Sequence, residues 1–226
     1  MIFEKDYCVS QKPNGKIDDI TKSNRCIEIN NDSRDLEGLF NEYAGYYYKA
    51  AHFIASYIIE DSDSLLSERN AYFLPMAFLY RHSIELLLKS LVLREGIGNT
   101  NFYNGHDLVL LLNELLLINQ DLENEDYIKW LKEYLINLNK IDNQSDCFRY
   151  PFYVYEGTVF LFFTEQTCID TVMFANKFEA AYEILNMWYI FEKPNFAMDW
   201  KKYNSDFIDK GNDFFYQAVI GNYYPN

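Results

Sequence analysis

The sequence predicts a single-domain, mostly helical fold: a bundle of about five helices with one short β-hairpin near residues 152–162. Long windows carry apolar residues at helical spacing, and glycine is scarce, with 9 in 226 residues. The chain is 49% hydrophobic, which suffices for one sizeable core but not for two comfortable domains. The segment FYVYEGTVFLFF is the exception, because it is typical of two short strands around Glu156-Gly157.

The chain is expected to begin with an irregular arm, residues 1–35, which is polar and carries a turn signal at Pro13-Asn14-Gly15. The first helix is predicted over residues 36–60, where aromatic and aliphatic side chains recur at helical spacing. Asp35 is placed to cap its first turn.

A second helical segment is predicted over residues 64–95. Pro75 lies inside it, so a fresh helix starts there or the helix kinks. Gly96 and Gly98 are expected to end it. Its second half is apolar nearly all round, which indicates a central buried helix, about residues 72–95.

Two shorter helices follow, over about residues 106–118 after the sequence Asn104-Gly-His-Asp, and over about residues 124–138. Residues 139–151 are mostly polar and are predicted to form a loop. The hairpin comes next, and it leads to the last long helix.

Thr164 is the predicted cap of this last helix, about residues 165–191, which ends before Pro194. The aromatic tail is expected to pack on the body, partly as a helix at about residues 204–218, because its rings are costly to expose together. The chain thus divides into an arm, a helical domain and a tail: residues 1–35, 36–192 and 193–226.

Charge and cysteine usage limit the environment and the partners. The formal net charge is −14, which disfavours general nucleic-acid binding but leaves open a local basic pocket or a basic protein partner. The four cysteines form no C-x-x-C pair, which is typical of reduced thiols. No signal peptide and no apolar run of about 20 residues is evident, so we expect a cytoplasmic protein without a membrane segment.

One polar stripe interrupts the central helix. Around the helix axis, with Arg81 at zero, Glu85 lies at about 40°, Lys89 at about 80° and His82 at about 100°. Arg81 to Glu85 and Glu85 to Lys89 are i,i+4 spacings that allow ion pairs. The stripe is either a structural ladder, the solvent side of the helix, or the lining of a ligand cleft or dimer seam. A ladder that positions one catalytic group satisfies both a structural and a functional interpretation.

Two further segments are candidate companions of the stripe. His106 lies in Gly105-His-Asp-Leu at a helix start, where backbone amides favour an anion, although a helix-capping histidine is the simpler interpretation. Arg149 stands in an acidic loop before Tyr150-Pro151. It suits a phosphate or carboxylate, although a salt bridge from the loop to a helix is the simpler interpretation.

The segments LYRHSIELLLKSL (79–91), GHDL (105–108) and FRYP (148–151), in this order, resemble proteins of the HEPN superfamily. The resemblance covers residues 36–190 and is nearest to HEPN-like proteins of bacterial and phage-defence settings. It implies a bundle of four to five helices that often forms a homodimer. It also implies a metal-independent RNase, a toxin or a nucleotide-binding module.

The chain departs from the resemblance at the reaction motif. HEPN RNases resemble one another in an Arg and a His with four to six residues between them. Here Arg81 adjoins His82 directly, and His106 comes 12 residues after Arg94. The resemblance therefore does not carry the usual RNase activity over to this chain, and whether it is an enzyme stays open.

The sequence nevertheless predicts a polar cleft that acts on or senses RNA or nucleotides, in a defence or toxin-type homodimer. The alternative is a non-catalytic, dimerising interaction protein whose stripe is structural. The P-loop, dinucleotide and hydrolase fingerprints are absent, and neither metal ligands nor a cofactor are expected. The candidate residues fall into a catalytic and a ligand-binding set: Arg81, His82 and Glu85 in the first, and Lys89, His106, Arg149 and Tyr150 in the second.

Overall fold

The structure is a computed structural model that describes residues 35–60, 66–97, 105–142, 144–155, 158–162 and 169–191. Within these ranges the chain is mostly helical, as predicted, with a small two-stranded sheet. A short 3-10 helix, Gln120–Leu122, precedes the fourth α-helix. The elements in chain order are α1 (Leu36–Glu60), α2 (Leu66–Arg94), α3 (Leu108–Ile118), α4 (Asp126–Asp142), β1 (Phe152–Tyr155), β2 (Thr158–Leu161) and α5 (Thr171–Phe191).

Helix α2 is the centre of the fold and packs against α1, α3 and α5. All residues from 83 to 92 are buried, which confirms the predicted central buried helix. The helix continues through Pro75 without interruption. Leu87, Leu88 and Leu91 are fully buried, and each contributes about 1.5–3 kcal/mol of hydrophobic stabilisation.

Ring contacts and hydrogen bonds give the directions of the long helices. The rings of Tyr57 and Tyr72 lie 5.4 Å apart, while Ser90 Oγ donates to the Glu37 carbonyl at 3.0 Å, so α1 and α2 are antiparallel. Helix α5 runs parallel to α2. Its early Phe174 packs on Phe73, and the carbonyl groups at its end accept from Arg94.

Helix α1 begins and ends where the sequence predicts, and its start is capped. The Asp35 carboxylate accepts the backbone N–H of Gly38 at 2.8 Å, as expected of an N-cap side chain. A Cβ atom at Gly38 would lie 2.9 Å from the same oxygen. Glycine at this position therefore leaves the capping carboxylate its space.

Helix α2 ends at Arg94, and Gly96, one of the two glycines predicted to stop it, lies in the turn that closes it. Gly96 has φ of 70° and donates to the Leu93 carbonyl, while Ile97 donates to the Val92 carbonyl. This pair of bonds is a Schellman ending, in which glycine accepts the left-handed backbone without a steric penalty.

Helix α3 is anchored to α4 through its cap. The Asp107 carboxylate accepts from the Leu110 N–H at 2.9 Å and from Asn139 Nδ2 at 2.6 Å. Asn139 Oδ1 in turn accepts the Leu108 N–H at 3.3 Å. Both of these amides at the start of α3 are thus satisfied by protein side chains rather than left for an anion.

Three helix boundaries differ from the sequence prediction. Helix α3 begins at Leu108 rather than near 106, because Asp107 acts as its cap and leaves His106 outside. Helix α4 continues to Asp142 instead of ending near 138, because the partly buried Ile141 extends its apolar stripe. Helix α5 starts at Thr171, where the Asp170 carboxylate accepts the N–H of the third residue.

The hairpin forms as predicted, with β1 and β2 antiparallel and Phe152 opposite Leu161. Every residue of β2 is exposed. Among the described helices, none is both long and apolar enough to cross a membrane. Several predicted features lie outside the described residues, namely the arm over residues 1–34, Gly98, Glu156-Gly157, Thr164 and the tail from residue 192.

Candidate functional site

The polar stripe of α2 forms the centre of a buried ion network, with Arg81 as its hub. The Arg81 side chain is 0% exposed, and each of its nitrogens donates a hydrogen bond. Nη1 reaches Glu85 Oε2 at 2.9 Å, Nη2 reaches the His106 carbonyl at 2.7 Å, and Nε reaches the Asp142 carbonyl at 3.0 Å. One guanidinium thus joins α2, the segment before α3 and the end of α4.

Glu85 is the acceptor at the centre of the network, and its side chain is 1% exposed. While Oε2 accepts from Arg81, Oε1 accepts from Lys89 Nζ at 2.8 Å and lies 3.0 Å from His106 Nδ1. Burial alone raises the pKa of Glu85, but the bonded charge of Lys89, with Arg81 and His106, outweighs burial and lowers the pKa below its usual value. Glu85 is therefore held as a carboxylate.

Asp142 is the second buried acid, and the sequence prediction missed it. Its Oδ1 accepts the backbone N–H groups of Asp146 at 2.6 Å and Cys147 at 2.9 Å, which fixes the loop after α4. Oδ2 lies 3.3 Å from Arg81 Nε as an ion pair without a hydrogen bond, since that N–H points to the Asp142 carbonyl. Burial raises the pKa of Asp142, although Arg81 and the two N–H groups oppose the rise.

Burial decides between the interpretations of the stripe. Arg81, Glu85 and Lys89 are at most 5% exposed, so they do not form a solvent face. Two cations and the carboxylates of Glu85 and Asp142 share this interior, and buried charges of opposite sign stabilise one another only in such a bonded arrangement. The three stripe residues form a ladder whose polar atoms are occupied by the protein itself.

His106 is the member of the network that reaches the surface, with its side chain 37% exposed. Its carbonyl is held by Arg81 and its Nδ1 by Glu85. When Nδ1–H donates to the carboxylate, the neutral ring carries its lone pair on Nε2. Among the described residues Nε2 has no partner, so it can accept a proton or a hydrogen bond from a bound molecule.

His82, although it follows Arg81 directly, points away from the network. Its half-buried ring meets the Tyr47 ring edge-on at 4.6 Å and stacks on Phe78 at 5.4 Å. Burial lowers the pKa of His82 below its usual value, and the nearby Glu85 opposes this only in part. The structure does not bring His82 together with Glu85 and His106 by hydrogen bonds, and its catalytic role stays a prediction.

This placement makes His82 a source of acid sensitivity. Its folded pKa is lower than its unfolded value of about 6.5, so the unfolded chain binds more protons and stability falls as the pH drops through about 6.5. We expect His82→Phe to keep the ring contacts and to match the wild-type free energy of unfolding at pH 8. At pH 5.5 the variant should be the more stable of the two in urea denaturation. If both proteins lose the same free energy of unfolding between pH 8 and pH 5.5, His82 is not the cause of the acid sensitivity.

Arg149 and Tyr150 lie in the loop that Asp142 fixes. Arg149 donates through Nε to the Ser145 carbonyl and through Nη2 to Asp146 Oδ1 at 2.9 Å. The predicted loop-to-helix salt bridge is therefore an ion pair within the loop. Arg149 reaches α2 through the Phe78 ring instead, with its guanidinium carbon 5.6 Å from the ring centroid.

The cysteine and metal chemistry of the described part is limited. Cys147 is a buried free thiol, and burial together with the charge of Asp142 raises its pKa, so it is poorly suited to act as a nucleophile. Across the described ranges, no three His, Cys, Asp or Glu side chains come together in a way that could hold a metal ion.

Comparison of the chain with protein-family models, with curated proteins and with solved structures finds no match. The HEPN-like resemblance therefore stays a prediction. The structure links the first two segments of that resemblance directly and connects the third to them only through Asp142. Glu85 of the first bonds His106 of the second, and Asp142, paired with Arg81, fixes the loop that carries the third.

Proposed function

We propose that this protein is a HEPN-like defence or toxin-type protein that acts on or senses RNA or nucleotides at His106. The observation that carries the proposal is the pair of Glu85 and His106, a partly exposed imidazole oriented by a buried carboxylate. The pair links the first two segments of the resemblance, which supports the proposal. The candidate site is thus narrower than the seven residues proposed from the sequence.

His106 has the geometry of a general acid or base. A neutral imidazole can take the proton of an attacking hydroxyl group, such as the RNA 2′-hydroxyl, and the resulting cation is stabilised by the Glu85 carboxylate. Arg81 and Lys89 are buried and bonded, so they act on a ligand only by holding Glu85 and His106 in place. We assign them positioning roles rather than direct contacts.

The proposal includes a cytoplasmic homodimer. Exposed apolar side chains of the hairpin, among them Val154 at 59% and Val159 at 61%, support an interface between two copies. The net charge of −14 supports a basic protein as an alternative partner.

The experiment compares wild type with His106→Asn, which keeps a polar side chain but removes the acid–base nitrogen. The readouts are cleavage of a labelled single-stranded RNA, growth of cells that express the protein, and melting shifts with a nucleotide panel. We expect His106→Asn to lower cleavage or toxicity about 100-fold or more, the usual range for loss of a general acid or base. Lys129→Ala, in an exposed i,i+3 pair with Asp126, is the matched control and should behave as wild type.

Two results would oppose the proposal. One is a folded His106→Asn variant with wild-type cleavage and toxicity. The other is a wild-type protein that neither cleaves RNA nor shifts its melting temperature with any nucleotide. Both outcomes favour the second candidate function.

That second candidate is a non-catalytic, dimerising interaction protein. It is favoured by one observation, the complete burial of Arg81 with all three of its donor nitrogens occupied. In this case the ladder is architectural, and Arg81 variants lose stability while His106 variants lose nothing. Two results would agree with this function. His106→Asn and wild type should both elute as dimers in size-exclusion chromatography, and thermal melting should give them equal melting temperatures.

A further inference from the structure

The loop after α4 presents a guanidinium group and an aromatic ring side by side. The Arg149 guanidinium carbon lies 5.3 Å from the centroid of the Tyr150 ring and 5.6 Å from that of Phe78. Both distances are within the range of cation–π contacts. Arg149 therefore contacts both a ring of α2 and a ring of its own loop.

The orientation of Arg149 is fixed before any ligand arrives. Nε donates to the Ser145 carbonyl, Nη2 donates to Asp146, and the guanidinium carbon lies within cation–π distance of both rings. Among the described residues, Nη1 makes no hydrogen bond. With the side chain 31% exposed, this nitrogen offers its N–H groups to an anion.

Tyr150 supplies the second element of the surface. Its side chain is about half exposed, at 51%, and the guanidinium of Arg149 covers one part of the ring. An exposed tyrosine ring that is held in place is a platform on which a planar ring can stack. An anion-binding group and a stacking surface on adjacent residues match a molecule with a phosphate and an aromatic base.

The loop is also rigidly connected to His106. Asp142 fixes the loop by accepting two of its N–H groups, and Arg81 bonds both Asp142 and the His106 carbonyl. The guanidinium and ring of the loop and the imidazole of His106 are thus set relative to one another by the same buried arginine.

Charge limits how much nucleic acid this surface can engage. The chain has a net charge of −14, so contacts with many phosphates of a polyanion are unfavourable. The one nitrogen of Arg149 that makes no hydrogen bond within the described residues, Nη1, matches one phosphate. A base held in a duplex has its faces covered by its neighbours, so only an unpaired base can stack on Tyr150.

We infer that Arg149 and Tyr150 form a subsite for one nucleoside monophosphate unit, with the phosphate on Arg149 and the unpaired base on Tyr150. The inference deepens the proposed function and rests on it. The unit is either a free mononucleotide or one nucleotide of a single strand, because both present the same chemistry.

The test measures binding of AMP, adenosine, a 10-nucleotide single-stranded RNA and the matching duplex by titration calorimetry. We expect AMP or the single strand to bind, with adenosine and the duplex about 10-fold weaker or undetectable. Arg149→Lys keeps the charge but loses the planar group, and Tyr150→Leu loses the ring. Each should weaken binding about 10-fold, while Tyr150→Phe should bind as wild type.

The controls are an exposed tyrosine and an exposed cation elsewhere, Tyr46→Leu and Lys129→Ala, and both should bind as wild type. Equal binding by wild type, Arg149→Lys and Tyr150→Leu would overturn the subsite and leave the proposed function standing, provided that His106→Asn still loses activity. Duplex binding as tight as single-strand binding would also overturn it. A wild type that binds no probe but cleaves RNA overturns the subsite alone, and one that does neither overturns both.

Discussion

Arg81→Ala should lower the free energy of unfolding by about 3–5 kcal/mol, the usual effect of removing one partner from a buried charge pair. The side chain is 0% exposed and joins three chain segments. Its removal leaves the Asp142 carboxylate without its buried cation, leaves Glu85 with Lys89 but without its second bonded cation, and leaves the His106 carbonyl without its donor. Urea denaturation followed by circular dichroism measures the change.

Two controls separate this network effect from a general sensitivity to charge removal. Lys129→Ala breaks an exposed pair and should change stability by less than about 0.5 kcal/mol. The double variant Arg81→Met with Glu85→Leu should lose less than the sum of the two single variants, since it removes both members of one ion pair. If Arg81→Ala lowers the free energy of unfolding by less than about 1 kcal/mol, the ion network is not buried as described.

Glu85→Gln is expected to have the second largest effect, also about 3–5 kcal/mol at neutral pH. The amide has nearly the same shape, but it removes the negative charge between Arg81 and Lys89 and leaves two buried cations. Its NH₂ group also replaces an acceptor with a donor. In one orientation of the amide this NH₂ group faces Lys89 Nζ and His106 Nδ1. In the other orientation it faces Arg81 Nη1.

The stability difference between wild type and Glu85→Gln should depend on pH. The folded pKa of Glu85 is below its unfolded value of 4.5, so the stabilisation is present above that pH and is lost as the pH falls through the folded pKa. The stability gap between wild type and Glu85→Gln should therefore narrow below pH 4.5. Asp142, whose pKa is raised, acts in the opposite sense in both proteins and does not affect the gap. A constant gap from pH 7 to pH 3 argues against a charge effect.

Periodicity predicted the helices well because each pattern is local. The apolar spacing of residues 36–60 and the i,i+4 spacing of Arg81, Glu85 and Lys89 depend only on helix geometry. The arc of polar residues left a ladder, a solvent face and a cleft lining open, and the burial of Arg81, Glu85 and Lys89 excludes the solvent face. The helical and i,i+4 spacings can be recognised without knowing which elements pack on α2.

What the sequence left open depends on neighbours far along the chain. Asp142 is 61 residues from Arg81, and nothing in the local pattern pairs them. Only the extension of the α4 stripe to Ile141 gave a signal that Asp142 ends a helix rather than lying in a loop. The helical angle of His82 groups it with the stripe, but its ring packs edge-on against Tyr47 of α1.

The resemblance contributed a different kind of information. It groups the segments that carry His106 and Arg149 with the stripe, whereas spacing along one helix relates neither residue to it. The bonds from Glu85 to His106 and from Asp142 to the loop supply the physical links between these segments. Arg149 and Lys89 were both proposed as ligand contacts, but only Arg149 has an exposed side chain, because Lys89 is bonded to Glu85.

The contacts of Arg81 have a consequence for protein synthesis. Its partners at His106 and Asp142 come 25 and 61 residues later in the chain, so a ribosome finishes α2 well before either is made. The network around His106 is complete only after α4 has emerged and packed, since domains fold as units. A nascent chain that ends before Asp142 therefore carries His106 without the complete network that Arg81 holds together in the folded protein.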